Sequence, residues 1–236
     1  MRTKTTLHAL IALAAASIGA HQASATPMLR LEAVGTGSTT IADGDASDFN
    51  SLAGVVTSIN AVPGGNWAVN VTTGLSKPAL GTADIPMLDL NSVSVSSVGG
   101  GTLNIWLTDT GFTGTANEVN ALAAIGGTIA SGGSVSFKTY RDTSNTAFGT
   151  ETELTSLGAF TSSAFADSTG AILDSTTGPY SLTLLVSIFH DGSRFFQSTS
   201  FDASIAVPEP SSVFLLGAGL LATAFVLRRR RASVAA

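Results

Sequence analysis

Tyr180-Ser181-Leu182-Thr183-Leu184-Leu185-Val186-Ser187-Ile188-Phe189-His190 decides the fold. Tyr180, Leu182, Leu184, Val186 and Ile188 recur at every second position, the period that places side chains on one face of a strand. Leu185 and Phe189 add apolar groups to the other face, so the segment reads as a strand buried on both sides near the centre of a β-sandwich. Asp191-Gly192-Ser193 then supplies turn residues.

Upstream and downstream the same period returns. Leu103, Ile105 and Leu107 alternate with Asn104, Trp106 and Thr108. Trp67, Val69 and Val71, then Val93 and Val95, then Val135 and Phe137 follow the same rule, and Phe201, Ala203 and Ile205 make a last strand. Between them stand turn formers such as Pro63-Gly64-Gly65-Asn66, Gly99-Gly100-Gly101 and Gly132-Gly133. Many short strands with glycine-rich turns predict an all-β chain, a single sandwich-like domain over residues 26–206. One short helix is expected over residues 117–125, where Glu118, Ala121, Leu122 and Ile125 match helical spacing and Gly126-Gly127 would end it. No repeat of fixed length points to a solenoid.

Both ends of the chain read as targeting segments. Arg2 and Lys4 precede an apolar stretch from Ala9 to Ala20, and Ala23-Ser24-Ala25 is an A-x-A site, so residues 1–25 are expected to be a signal peptide cut between Ala25 and Thr26. At the other end, Val207-Pro208-Glu209-Pro210 is followed by an apolar run from Val213 to Leu227 and by Arg228, Arg229, Arg230 and Arg231. The 15 residues of that run, or 17 with Ser211 and Ser212, sit at the lower edge of the roughly 17–25 a membrane helix needs. The arginines resist translocation and are expected to stay in the cytoplasm with residues 232–236, leaving the body on the far side of the membrane. Pro208 and Pro210 favour an extended strip around Glu209.

Pro-Glu-Pro, a greasy segment and an arginine block, in that order near a C-terminus, resemble a PEP-CTERM sorting domain, here spanning residues 207–231. The resemblance implies an exosortase-type transpeptidase as partner. It implies an inner-membrane precursor delivered through the Sec machinery and signal peptidase, its body in the periplasm, and a destination at the cell surface or in an extracellular, biofilm-type matrix. Exopolysaccharide is among the expected partners there.

Without residues 1–25 and 211–236 the chain keeps five basic side chains, Arg30, Lys77, Lys138, Arg141 and Arg194, against all 16 acidic ones, a net charge near −11. That balance argues against nucleic acid as a partner. There is no cysteine, hence no disulfide and no thiol chemistry, and His190 is the single histidine left after processing. No nucleophile elbow or phosphate loop appears. His190, Asp191 and Ser193 lie too close in sequence for a catalytic triad and read as the tip of a hairpin.

Asp43-Gly44-Asp45-Ala46-Ser47-Asp48 begins like a calcium loop, but position 6 is Asp48 instead of glycine and position 12 is Gly54 instead of glutamate. A solvated loop is the main reading and calcium at Asp43, Asp45 and Asp48 the lesser one. No cofactor and no catalytic residue is assigned. The expected function is a non-catalytic surface or matrix protein, with a structural or glycan-contacting body. A polysaccharide hydrolase using two carboxylates is the alternative. A lower one is ice binding, raised by similar tails on proteins so labelled. It would need regular threonine ranks, and Thr108-x-Thr110, Thr113-x-Thr115 and Thr150-x-Thr152 are scattered.

Overall fold

The computed structural model describes residues 26–113 and 118–207. Their regular structure is entirely β: twelve strands in two six-stranded antiparallel sheets. In chain order these are β1 (Met28–Ala33), β2 (Gly37–Ala42), β3 (Val55–Gly64), β4 (Trp67–Leu75), β5 (Met87–Ser97) and β6 (Gly101–Phe112). They continue with β7 (Val119–Ile129), β8 (Gly133–Asp142), β9 (Thr152–Phe160), β10 (Ala164–Leu173), β11 (Tyr180–His190) and β12 (Gln197–Ala206). The first sheet runs β2-β1-β6-β11-β8-β9 and the second β10-β7-β12-β5-β4-β3.

Alternation gives each sheet one apolar face, and the two faces bury each other in a single core. Leu103, Ile105 and Leu107 of β6, Leu182, Leu184, Val186 and Ile188 of β11 and Val135 and Phe137 of β8 are fully buried. Phe201, Ala203 and Ile205 of β12 oppose them from the second sheet. Removing a leucine from such a core typically costs about 2–5 kcal/mol.

Three sequence expectations are corrected. β11 is central and buried on both sides only in its first half: Ser181 and Thr183 are inaccessible on the outer face, whereas Leu185 is half-buried and Phe189 is 45% exposed there. Of the helix expected over residues 117–125, the part from Val119 onward is strand β7, with Val119, Ala121, Ala123 and Ile125 facing the core. β7 lies between β10 and β12, and those two ladders satisfy its backbone. Gly127, expected to terminate a helix, sits within β7 because a Cβ there would meet the Ser200 carbonyl oxygen at 2.2 Å.

His190 is the third correction. It ends β11 in the core instead of crowning a hairpin, with no exposed surface. Its Nδ1 meets Ser97 Oγ at 2.7 Å, its Nε2 meets Thr199 Oγ1 at 2.8 Å, and its ring stacks on Trp67 at 4.7 Å. The ring therefore ties the first sheet to β4, β5 and β12 of the second. Burial pushes its pKa below the ordinary value, with Asp191 opposing. A base with a depressed folded pKa binds fewer protons folded than unfolded, so stability holds above the unfolded value near 6.5 and falls as pH drops below it. Urea titrations should show the wild type losing stability between about pH 7 and 5, by no more than ~1.4 kcal/mol per pH unit, and His190→Gln losing less. Equal slopes in the two proteins would refute this role.

β11 ends beside Gly101, where β1 also finishes, and residues 191–196 lead straight into β12. β12 therefore runs back to the end where β1 starts. There Val207 N–H donates to the Pro86 carbonyl at 2.9 Å and Val207 is buried. The segments preceding Thr26 and following Val207 both attach at this end.

Candidate ligand-binding face

The outer side of the first sheet carries the most varied chemistry among the described residues. Register puts Thr40, Arg30, Trp106, Leu185, Lys138 and Ser156 in one row across β2, β1, β6, β11, β8 and β9. The next row contains Glu32, Asn104 and Ser187. Arg30, Glu32, Asn104, Trp106, Leu185 and Lys138 are all half-buried, so they form a shallow surface and not a pocket.

Trp106 is held by hydrogen bonds. Its Nε1 donates to Glu32 Oε2 at 3.2 Å, and Asn104 Nδ2 donates to the same oxygen at 3.1 Å. Ser187 Oγ in turn donates to Asn104 Oδ1. With its polar edge satisfied, the indole keeps its carbon faces for apolar contact. Arg30 lies over the Phe148 ring and near Trp106: its Cζ is 3.8 Å from the centroid of the first and 6.0 Å from that of the second. Both distances lie within cation–π range.

Phe148 comes from the loop over residues 143–151, which joins β8 to β9 and folds across the outer face. Phe148 N–H donates to Thr108 Oγ1 at 3.1 Å, and Ser181 Oγ donates to the Thr146 carbonyl at 2.7 Å. At the loop's ends Asp142 caps Ser144 N–H, and Glu151 accepts from the Thr143 N–H and hydroxyl. Those Thr143 bonds hold the Glu151 carboxyl below its usual range. Phe148 has φ of 58°, a left-handed conformation that a bulky residue keeps only when its surroundings fix it.

At the far end of the row Lys138 Nζ pairs with Glu153 at 2.7 Å, and that hydrogen bond raises the lysine's pKa. Partial burial likewise raises the Tyr140 phenol. The face thus offers two aromatic surfaces, two cations and hydrogen-bonding amide and hydroxyl groups. That chemistry suits a polyhydroxylated chain lying across strands.

The acidic cluster lies in the loop that begins directly after β2. Asp43 accepts from Gly54 N–H at 2.7 Å and Asp45 from Ala42 N–H at 3.0 Å, while Asp48 accepts from Gly44, Asn50 and Thr57 N–H groups. Each carboxylate is thereby engaged in shaping the loop. Among the described residues no three acidic or histidine side chains are grouped to hold a metal ion. Thr108 is fully buried against Leu182 and Thr183, so it contributes nothing to an exposed threonine rank.

Thr26 is exposed at the start of the described chain. Ala23 and Ala25, the motif Pro208-Glu209-Pro210, the apolar run and Arg228 to Arg231 lie outside the described residues. Among those described, no helix is long and apolar enough to cross a membrane. Sequence reasoning missed the Arg30–Phe148 pairing, and the one available signal was Trp106 on the polar side of an alternating strand.

No curated protein matches the chain in sequence. Among solved structures, that of infectious bursal disease virus Gx strain is similar at TM-score 0.34 and 14% identity over 77% of this chain. This chain spans 55% of the viral one. Arthrobacter globiformis T6 isomalto-dextranase complexed with panose is similar at TM-score 0.26 and 10% identity, over 64% of this chain and 23% of that one. Likeness this distant carries no functional argument. Residues 206–231 match the family described as the PEP-CTERM protein-sorting motif. The chain carries a PEP-CTERM sorting domain, the mark of an exported precursor directed to an exosortase.

Proposed function

We propose that this is a surface or extracellular-matrix protein whose body, residues 26–206, is a non-catalytic module that holds polysaccharide on the outer face of its first sheet. In this reading residues 1–25 are a signal peptide removed before Thr26. Residues 213–227 span the inner membrane until an exosortase-type transpeptidase acts at Pro208-Glu209-Pro210, and Arg228 to Arg231 stay in the cytoplasm. The body reaches the periplasm through the Sec machinery and then leaves the membrane.

The single observation that carries the binding role is Trp106, half-buried on a sheet face and fixed by Glu32, which also accepts from Asn104. Sugar rings have apolar C–H faces that pack on such a ring, while their hydroxyls find the neighbouring polar groups. A flat, open surface can hold a long chain at many points along its length.

Affinity electrophoresis in gels containing matrix polysaccharide tests this. The purified body should be retarded, and Trp106→Ala should weaken binding by about 30-fold, as for loss of an aromatic anchor worth ~2 kcal/mol. Circular dichroism should be unchanged. Undiminished retardation of Trp106→Ala would remove the face from consideration, and release of new reducing ends by the wild type would favour the hydrolase reading.

A further inference from the structure

We infer that the Arg30 end of this face recognises a carboxylate on an acidic sugar, so that the polysaccharide held is an anionic one. The inference rests on the binding role proposed above and adds the class of ligand.

The body between residues 26 and 210 has only five cations among 16 acidic residues. Three of the five are committed. Lys77 pairs with Asp109 at 2.8 Å, Lys138 with Glu153 at 2.7 Å, and Arg141 lies 3.9 Å from Asp174 and donates to its carbonyl at 2.8 Å. Arg194 is exposed in the loop after β11. Arg30 differs from all of these. Its guanidinium is fixed by Phe148 and Trp106, yet among the described residues no carboxylate lies within 4.0 Å of it and none accepts its N–H groups. Glu32, two residues along the same face, accepts from Trp106 and Asn104 through Oε2 instead.

Stacking on an aromatic face uses the plane of the guanidinium and leaves its rim of N–H donors free. That rim matches the two oxygens of a carboxylate in a fork-to-fork pair, a short and strong charge-assisted geometry. Partial burial against two rings reduces the competition from water. The long-range field of a body near −11 opposes an anionic polymer, but beyond about 8 Å it is screened at physiological salt. Recognition therefore depends on this local contact. Strands stand roughly 4.8 Å apart, so Arg30 and Lys138, three strands from each other, mark out about 14 Å of face. An acidic sugar at Arg30 would leave its neighbours over Trp106 and Leu185.

Isothermal titration of the body with polygalacturonate and with dextran, both size-fractionated, separates the possibilities. The wild type should bind polygalacturonate more tightly than dextran. Arg30→Gln should lower polygalacturonate affinity at least tenfold, toward the level of dextran, with a much smaller loss on dextran itself. Arg30→Lys, which keeps the charge without the fork, should recover only part of the loss. A wild type with no preference for the uronate polymer, or an Arg30→Gln variant equally impaired on both polymers, would overturn the carboxylate assignment and leave Arg30 as a support for Trp106. Binding of dextran alone, lost in Trp106→Ala, would keep the polysaccharide role and remove this one. Absence of binding to either polymer and to matrix polysaccharide would remove both. Self-association by light scattering, abolished by Arg30→Gln, would instead assign the face to a second copy of the chain.

Discussion

Lys77→Met is expected to lower the unfolding free energy by about 3–5 kcal/mol, the usual cost of leaving one partner of a buried ion pair alone. The pair joins the segment after β4 to the end of β6. Asp109 has no exposed surface, and Lys77 is 3% exposed with its Nζ 2.8 Å from the carboxylate. Lys77 also donates to the Thr110 carbonyl and lies 4.1 Å from the centre of the Phe112 ring. Asp109 accepts from Ser76 Oγ at 2.6 Å and from Thr110 N–H at 2.7 Å. Methionine would fill the space of the lysine stem but strand the anion in the core. Lys77→Met with Asp109→Leu should regain most of the loss, because removing both charges also removes their desolvation cost. Urea denaturation of the three variants measures this. A loss below about 1 kcal/mol for the single change would show that the pair contributes little. The loop that Ser76 and Lys77 begin also carries Pro86, whose carbonyl accepts from Val207 N–H.

The second large effect concerns routing, and it is expected to be nearly all-or-none. Each arginine resists passage through the bilayer, by roughly 2.5–3.5 kcal/mol at a helix centre, and the apolar run is short for a stable span. Changing Arg228 to Arg231 together to glutamine should therefore release an uncut, full-length protein. Glu209→Ala should do the opposite, leaving uncut precursor in the inner membrane because only the cleavage mark is gone. Cell fractionation with an antibody against the body, followed by intact-mass analysis, distinguishes the two. Normal processing of both variants would contradict the division of labour between the halves of the tail.

Strand after strand was legible because burial on one face of a sheet leaves a period of two in the sequence. Leu103, Ile105, Leu107 and Phe201, Ala203, Ile205 point inward as their spacing predicts. The sorting motif was legible for a different reason: a membrane-edge signal is read linearly, so its order and spacing are its content. Residues 117–125 misled because Ala121 and Ile125 fit either period, and β10 and β12 on either side decide in favour of a strand. His190 misled because a turn follows it, whereas the core accepts its ring through Ser97, Thr199 and Trp67 from three other strands.

By itself, then, the sequence determined that the body is β, which residues of most of its recognised strands face the core, and that residues 206–231 carry a sorting signal. Tertiary structure alone decided which way β11 leaves its outer face and what stands on it. Arg30 and Phe148 lie 118 positions apart and meet only because β1 pairs with β6 while the loop after β8 folds back over that sheet. Contacts of this kind depend on strand order and loop closure, and neither leaves a periodic trace in the chain.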